Sequence, residues 1–273
     1  QTGNARQDQI CIEYNDLLCD PQHKKAATIA CLETLMLRNS AWDEVVIANM
    51  PIETAQNIHH YFKSSRTDYL INCFSIDLTK IKSNTVLDSL SKNSRYQIRR
   101  SIRLFEDLYG AIRLETAKSP EEAIKWFHTA GNYHKERWDD SGYDNLEFIS
   151  FHENLIRCYK NEKVVQVLKI TSGILPIAYM YYFLYNNSVH FYLQGLQYFD
   201  NGKLKPGLVS HVFAIDYFLE QGFNQYDFMG GDSQYKMQLS DTTEQLQTVI
   251  VHKNSIPIKL ENAARNIKQW LTR

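Results

Sequence analysis

The feature that most constrains the fold of this 273-residue chain is its alternation of short strand-like runs with longer helical segments. Runs of β-branched and aromatic residues predict strands, and apolar residues that recur every three to four positions predict helices. Such alternation is typical of an α/β or mixed α+β sheet covered by helices. Strands are expected at 42–48, 69–78, 111–116, 164–170, 177–185, 189–198, 225–229 and 247–252, and helices at 20–38, 53–62, 84–109, 119–137, 145–159 and 206–221, with a last helix from Pro257.

Two local signals fix element boundaries in the second half of the chain. Residues 119–122, Ser-Pro-Glu-Glu, form a capping box with proline at the first helical position, which predicts a helix start. Residues 186–187, Asn-Asn, predict a tight turn between the two strands on either side of them. A β-hairpin is therefore expected after the helical segments of this half.

The composition excludes several classes of protein. Thirty Lys and Arg against 31 Asp and Glu leave a net charge of −1, so DNA or another polyanion is not an expected general partner. Five scattered cysteines without a C-x-x-C pair favour reduced thiols in the cytoplasm, with no disulfide and no metal site. The longest apolar-rich run, 176–185, is too short to cross a bilayer.

The first candidate site is the basic stretch 91–103 within the helix expected over 84–109. Seven basic residues and one acid lie between positions 80 and 103. Guanidinium groups hold phosphate through paired hydrogen bonds, so this stretch is a candidate site for a phosphate-bearing ligand. A solvated helix face neutralised by acids elsewhere would carry the same charges. At 100° per residue, Lys92, Arg95, Arg99 and Arg103 share one stripe, with Tyr96 and Arg100 beside it.

The second candidate site is the basic loop that enters the helix at Pro206. Free amides at a helix N-terminus bind phosphate, and Gly207 allows a ligand to approach the backbone closely. Lys203 and Lys205 add positive charge to the same place. Pro-Gly before a helix is also an ordinary turn signal.

The third candidate site follows the strand at 225–229. Asp227 lies inside that strand and Asp232 follows the Gly-Gly break at its end, where ligands of open α/β sheets bind. A turn acid at Asp232, and an Asp227 bound to a backbone amide or to Lys236, would explain the same residues. His134, at the end of the capped helix, is more simply read as a packed or partly exposed histidine than as a catalyst.

Four segments together resemble a known family. They are SKNSRYQIRRSIRLFE from Ser91, H-x-x-R-W from His134, LKPGLVSHVFAIDYFLEQG from Leu204, and YDFMGGDSQYKMQL from Tyr226. This pattern looks like the GNAT-type acyltransferases of the CelD/BioF2-like group, which are relatives of the FemAB-type peptidoglycan aminoacyltransferases. The resemblance covers about 8–250.

The resemblance implies a pair of GNAT-like α/β halves. Residues 1–78 would be the remnant of a truncated first half, and residues 79–273 the complete acyltransferase half. A polar start without Met agrees with a missing N-terminus. The donor would lie where two central strands splay, with its pyrophosphate at the loop and helix after the first of them.

The resemblance also implies roles for individual residues. Leu204 and Val209 depart from the usual GNAT phosphate signature, Q/R-x-x-G-x-G/A, and only a short segment follows Met229 where many relatives have a full helix. The candidate catalytic residues are Asp227, Asp232, Tyr235 and Lys236; the candidate donor-binding residues are Lys203, Lys205, Gly207, Leu208, Val209 and Ser210; the candidate substrate-binding residues are Arg95, Tyr96, Arg99, Arg100 and Trp138.

The function that follows is direct transfer of an acyl group from acetyl-CoA or another acyl-CoA to an amine. The acceptor would be a small molecule or a precursor in cell-envelope polysaccharide metabolism. Such a reaction needs a base for the amine, a donor to the oxyanion, here a backbone amide at 193–195, and an acid for the leaving group. Two alternatives stay open: an aminoacyl-tRNA-dependent transferase acting on a cell-wall precursor, and a non-catalytic GNAT-like scaffold that binds a partner.

Overall fold

The computed structural model describes residues 4–10, 13–37, 42–139, 141–253, 255, 256, 258, 260 and 261. These residues divide into two compact units. The first unit draws on the described residues of 4, 13–72 and 245–261, and the second on those of 5–10 and 73–244. The assignment of 1–78 and 79–273 to two GNAT-like halves stays a prediction.

The described residues form eight α-helices and eight strands. The helices are α1 (Ala5–Asp8), α2 (Lys24–Leu37), α3 (Ile52–Tyr61), α4 (Lys92–Tyr109), α5 (Pro120–Lys135), α6 (Leu146–Tyr159), α7 (Pro206–Glu220) and α8 (Gln234–Leu239). The strands are β1 (Glu44–Pro51), β2 (Ser65–Asp77), β3 (Ile112–Thr116), β4 (Val165–Ser172), β5 (Leu175–Tyr185), β6 (Ser188–Leu196), β7 (Gln225–Gly230) and β8 (Thr242–His252).

The first unit is built on an antiparallel pair of strands. β1 pairs with β8 from Glu44 opposite His252 to Pro51 opposite Leu246. α2 packs against α3, and α3 packs against β1. Their apolar side chains form a small core of Leu32, Met50, Ala55, Ile58, Val249 and Val251.

The second unit contains a mixed sheet in the strand order β2-β7-β6-β5-β4-β3. β6 and β7 are parallel, and the other neighbouring pairs are antiparallel. A parallel pair needs a crossover connection, which α7 supplies between β6 and β7. The β5–β6 hairpin turns at Asn186 and Asn187, whose φ angles of 48° and 59° are the left-handed values of a type I′ turn.

Helices cover both faces of this sheet. Along β5, Met180 and Tyr182 belong to the core that also contains residues of α4 and α7. Tyr179 and Tyr181 belong to the core that contains residues of α5 and α6. Successive strand residues point to opposite faces, so this alternation places one pair of helices on each side. The predicted α/β fold class with a mixed sheet is confirmed.

Element boundaries differ most from the predictions at two places. The helix predicted over 84–109 begins at Lys92, because the Ser91 hydroxyl oxygen accepts the Ser94 amide at 3.2 Å and caps a new helix after a 3-10 turn. The strand predicted from residue 247 begins at Thr242. The helix predicted from Pro257 lies largely outside the described residues.

Within the described ranges, no helix is both long enough and apolar enough to cross a membrane.

A close approach between α5 and β6 gives the first prediction. A Cβ atom at Gly195 would lie 2.5 Å from the Ala130 Cα atom, so Gly195→Ala must move a helix against the sheet. We expect it to lower the free energy of unfolding by about 1–3 kcal/mol. Gly202→Ala is the control, because a Cβ there meets nothing within 4 Å. Urea unfolding measures both, and equal stability of the two variants would contradict this packing.

Candidate active site

The two parallel strands of the second unit pair at one end and diverge at the other. Their register runs from Ser188 opposite Gln225 to His190 opposite Asp227. Beyond that point β6 continues to pair with β5 as far as Leu196, with an irregularity opposite Tyr181 and Tyr182. The C-terminal ends of β6 and β7 therefore leave a gap between them.

A cavity of about 550 Å³ lies at this gap. Its walls come from the C-terminal ends of β6 and β7, the last turns of α5, the start of α7 and the segment that contains α8. The close approach of α5 to β6 at Gly195 brings the end of α5 over the diverged strand. Five of the residues predicted for function line the cavity: Trp138, Gly207, Asp232, Tyr235 and Lys236.

The start of α7 has unpaired backbone donors beside the cavity. Lys205 is the N-cap residue, and its side chain does not cap the helix. Its own amide donates to the Ser101 hydroxyl of α4 at 2.8 Å, which fixes the loop to that helix. Pro206 has no amide hydrogen, and the Val209 amide donates to the Lys205 carbonyl. The amides of Gly207 and Leu208 are thus the orphan donors of this first turn.

Some of the predicted donor-binding residues have exposed side chains and others have buried ones. Lys203 and Lys205 are exposed at the entrance to α7, whereas Leu208, Val209 and Ser210 are buried. The Ser210 hydroxyl oxygen has no hydrogen-bond partner among the described residues. Any contact of a ligand with 207–208 is therefore made by backbone amides, with the two lysines supplying charge.

Asp227 is buried within β7 and is held on two sides. Its Oδ1 atom accepts the Met229 amide at 2.6 Å, and its Oδ2 atom lies 3.3 Å from His190 Nδ1 on β6. Met229 has a φ of 58°, and Gly231 has a φ of 109°. The carboxylate therefore stabilises the turn that leads from β7 into the segment carrying Asp232. This contact with a backbone amide is one of the two explanations that the sequence left open.

The segment after β7 carries three polar groups on the cavity wall. Asp232 is exposed, and Lys236 is buried with its Nζ atom donating to the Gly230 and Met229 carbonyls. Tyr235 is partly buried, and burial raises the pKa of its hydroxyl above the usual value. The phenol therefore keeps its proton at neutral pH.

The basic face of α4 stands apart from the cavity wall. Arg95 donates to the Asp88 carbonyl at 3.4 Å, and Arg99 forms an ion pair with the Asp88 carboxylate at 3.2 Å. The Arg100 guanidinium lies 5.7 Å from the centre of the Tyr96 ring. These four predicted substrate-binding residues are absent from the described lining of the cavity.

The end of α5 supplies three further wall residues, of which His134 and Arg137 belong to the H-x-x-R-W motif and Tyr133 carried no sequence signal. Tyr133 and Arg137 line the cavity, and the Arg137 guanidinium lies 5.2 Å from the centre of the Tyr198 ring, also on the wall. His134 lines it too; its Nδ1 atom is 3.0 Å from the Ser141 hydroxyl, and burial lowers its pKa against an opposing effect of Asp144. Gln194 of β6 has a carbonyl oxygen without a described partner.

Among residues 4–10, 13–37, 42–139 and 141–253, no group of three or more His, Cys, Asp or Glu is arranged to hold a metal ion.

A family model decides what kind of domain this is. The model of the acetyltransferase (GNAT) domain matches residues 92–237, more than half of the chain. The chain belongs to the acetyltransferase (GNAT) domain family. The matched segment starts at α4 and ends in α8, so it contains the diverged strands and every residue of the cavity wall. The protein is an acyltransferase of the GNAT superfamily, as the resemblance implied.

Solved structures share this fold at low sequence identity. FemX is 12% identical, with a TM-score of 0.61 over 91% of this chain and 82% of FemX. L-PGS from Bacillus licheniformis is 12% identical, with a TM-score of 0.56 over 90% of this chain and 78% of L-PGS. The C-terminal DUF2156 domain of a candidate lysylphosphatidylglycerol synthetase from Agrobacterium fabrum is 9% identical, with a TM-score of 0.59 over 91% of this chain and 80% of that domain.

These likenesses confirm the GNAT-type, FemAB-related fold. The finer assignment to the CelD/BioF2-like group stays a prediction. No curated protein matches the sequence.

Two buried histidines of the second unit give a prediction about pH. Burial lowers the pKa of His152 to about 4, and burial together with the charge of Lys236 lowers the pKa of His211 to about 3. Both are neutral in the folded protein at pH 5, whereas the unfolded chain protonates them below about pH 6.5. Each therefore removes about 1.2 kcal/mol of stability as the pH falls from 6 to 5, because the unfolded side chain is mostly protonated in this range and the folded one is not.

Replacing either histidine by Phe removes that linkage. We expect His152→Phe and His211→Phe each to reduce the slope of unfolding free energy against pH by nearly one proton between pH 5 and 6. Urea unfolding at several pH values measures the slope, and comparison with the wild-type protein removes the contribution of the carboxylates. An unchanged slope in both variants would contradict the neutral buried state.

Proposed function

We propose that this protein transfers an acyl group from acyl-CoA to an amine acceptor in the cavity between the diverged ends of β6 and β7. The observation that carries the proposal is the uncapped start of α7 on the wall of that cavity. Gly207 lies on the wall, and the orphan amides of Gly207 and Leu208 supply donors and partial positive charge to an anion. The oxygens of a pyrophosphate would accept hydrogen bonds from both amides.

A pyrophosphate bound at the start of α7 determines where the rest of the donor lies. Lys203 and Lys205 are exposed beside the same turn and favour a negatively charged ligand. From there the cavity extends along β6 past Leu193 and Gln194 towards the end of α5. A pantetheine arm along the diverged strand would carry the thioester to the segment of Asp232 and Tyr235.

The reaction is a direct transfer that breaks one bond and forms another. The neutral amine attacks the thioester carbonyl, the new C–N bond forms, and the C–S bond breaks. The amine loses one proton to a base, and the thiolate gains one proton from an acid, so the products are an amide and free CoA. A backbone amide at 193–195 would donate to the oxyanion.

The structure supports an assignment of these roles among the four candidate catalytic residues. Asp232 is exposed on the cavity wall and can take the amine proton, either directly or through water. Tyr235 retains its proton at neutral pH and can protonate the thiolate. Lys236 adds positive charge near both residues. Asp227 accepts the Met229 amide and so stabilises the turn after β7 instead of acting on the substrate.

The acceptor enters from the side of α5 in this proposal. Trp138 is 57% exposed at the cavity, so its indole is open to contact from a ligand. Arg137 lies next to it and supplies a cation for an acidic group of the acceptor. The basic face of α4, with Arg95, Tyr96, Arg99 and Arg100, would guide an anionic envelope precursor.

A second candidate is aminoacyl transfer from aminoacyl-tRNA to a cell-wall precursor. The shared fold with FemX and with a candidate lysylphosphatidylglycerol synthetase favours it, because the latter name denotes an aminoacylated product. The basic face of α4 would then bind nucleic acid phosphates. The net charge of −1 favours the smaller donor.

Binding of the donor is the first test. A ligand at about 100 times its Kd stabilises the native state by about 2.7 kcal/mol, which raises Tm by about 5–10 °C in a chain of this size, at about 2–4 °C per kcal/mol. We expect acetyl-CoA or a longer acyl-CoA to give such a saturable shift in thermal unfolding. Lys203→Ala and Lys205→Ala should weaken it, whereas Lys118→Ala, at the opposite end of α5, should not.

Three outcomes separate the proposals. A shift that is equal in the Lys203, Lys205 and Lys118 variants would place the phosphates away from α7 and contradict this site. A shift with aminoacyl-tRNA but with no acyl-CoA would favour the second candidate. A partner protein captured in the absence of any donor binding would favour the scaffold.

Turnover tests the acid and the base. We expect Asp232→Asn to lower kcat/KM for the amine by about 100-fold and Tyr235→Phe to lower kcat by a similar factor, since general acids and bases contribute about 10²–10⁴. The assay follows release of free thiol, with folding of each variant checked by circular dichroism. Full turnover of both variants would rule out these roles.

A further inference from the structure

A buried chain of polar side chains lies behind the cavity wall, and its central member is His211 of α7. Its Nδ1 atom is 2.8 Å from the Tyr226 hydroxyl of β7, and that hydroxyl is 3.0 Å from the Tyr182 hydroxyl of β5. The Tyr182 hydroxyl lies 3.3 Å from the Met180 Sδ atom. His211 and the two tyrosines are fully buried.

The thioether fixes the direction of every hydrogen bond in this chain. A thioether sulfur has no hydrogen to donate, so the Tyr182 hydroxyl donates to Met180. The Tyr182 oxygen is then the acceptor for the Tyr226 hydroxyl. With its hydrogen used in that way, the Tyr226 oxygen accepts from His211 Nδ1. Nδ1 of the imidazole therefore carries a hydrogen, and because burial lowers the pKa of the ring and Nε2 has no described partner, the imidazole is the neutral Nδ1–H tautomer.

Two consequences follow for His211. Its Nε2 atom is a bare acceptor, buried and without a hydrogen-bond partner among the described residues, which costs about 1–3 kcal/mol relative to a paired group. The chain also ends at a thioether, so it cannot pass a proton to solvent. An apolar ring at position 211 would avoid the free-energy cost of burying an unpaired Nε2 acceptor. Stability alone therefore does not explain why this position is a histidine.

The face of this imidazole packs on the candidate acid. The His211 and Tyr235 rings are stacked, with centroids 5.0 Å apart and planes 19° from parallel. Phe191 contacts His211 edge to face at 4.6 Å, and Phe228 lies at 5.2 Å. Within the described residues, the Tyr235 hydroxyl has no hydrogen bond of its own, so its ring is oriented by packing: the stack on His211 and an edge contact with Phe228 at 6.3 Å.

We propose that His211 is a positioning residue that holds the Tyr235 phenol in place to protonate the leaving group. The bond from Nδ1 to Tyr226 fixes the rotation of the imidazole, and the imidazole face fixes the phenol. The role of Tyr235 in this proposal rests on the proposed function. The tautomer of His211 and its stacking on Tyr235 do not depend on the proposed function.

The electrostatic surroundings keep this imidazole neutral. Lys236 of α8 is the charged group that acts on it, Tyr226, Tyr182 and Tyr235 are the titratable groups around it, and Phe191 and Phe228 are apolar. A neutral imidazole adds no second positive charge beside Lys236. The charge of the imidazole face that packs on Tyr235 is thus constant across the physiological pH range.

The first arm of the test needs no substrate. Nitrogen chemical shifts of the histidine side chains in the whole protein, assigned with His211→Phe, report tautomer and titration. We expect a neutral Nδ1–H form that does not titrate between pH 5 and 8. An Nε2–H tautomer, or titration in that range, overturns the inference whether or not the protein transfers an acyl group.

The second arm measures kcat and KM separately. His211→Ala removes both the anchor and the stacked face, and we expect kcat to fall by about 10- to 100-fold with KM for the donor within about twofold, since small misplacements of a reacting group cost up to about 100-fold. His211→Phe and Tyr226→Phe each remove the anchor and keep a ring, so each should give a smaller fall. The double variant should give no further loss, because both act through one contact.

The control is His152→Phe, which removes a different buried histidine. His152 also has a lowered pKa and an unpartnered Nε2 atom, but its ring packs with Tyr181 and Phe148 rather than with Tyr235. We expect its kcat to stay within about twofold of the wild-type value. Unchanged kcat in folded His211→Ala would overturn the positioning role, and so would equal losses in His211→Ala and His152→Phe.

The two arms separate the failures. Wild-type protein that carries the predicted tautomer but gives no turnover with any acyl-CoA contradicts the proposed function. Wild-type protein that turns over normally and shows the wrong tautomer contradicts this inference alone.

Discussion

The loss of pairing between β6 and β7 beyond His190 and Asp227 is the constraint on which the rest of the site depends. Two parallel strands that stayed paired would fill the centre of the sheet with backbone hydrogen bonds. Because they diverge, a cavity opens inside a rigid scaffold, and backbone groups at its edge are free to bind a ligand. The other site features surround this gap: the start of α7, the end of α5 and the segment of α8.

Asp227 and His211 stabilise the site from inside the protein. Asp227 holds the Met229 amide and with it the left-handed turn that carries Asp232. His211 is bound to Tyr226 and lies under Tyr235. Both are buried groups on elements next to the gap, and both orient residues that reach the cavity. The site is thus preorganised by hydrogen bonds and packing.

Sequence patterns predicted the elements well because each carries a local signal. The turn at Asn186 and Asn187 is an example, since both residues tolerate the left-handed conformation that the hairpin requires. The start of α4 was placed wrongly because Ser91 competes as a cap with an otherwise continuous helical pattern. Strand order depends on long-range pairing, which local periodicity does not encode.

The candidate site was predicted in part. Gly207, Asp232 and Tyr235 carried turn, helix-start or family signals, and they do lie on one cavity. His211 lies within the family-like segment from Leu204, but a single histidine in an apolar helix does not reveal that it stacks on Tyr235. Tyr133, Arg137 and Tyr198 likewise meet only in three dimensions, since α5 crosses β6 at the small residues Ala130 and Gly195. Spacing along the chain does not contain that crossing.

The most direct test of the account is a crystal structure of the whole protein with a non-hydrolysable acyl-CoA analogue. The account predicts a pyrophosphate within hydrogen-bond distance of the Gly207 and Leu208 amides, and the acyl group beside the Tyr235 hydroxyl between the ends of β6 and β7. An analogue bound elsewhere, with these amides left to solvent, would contradict it.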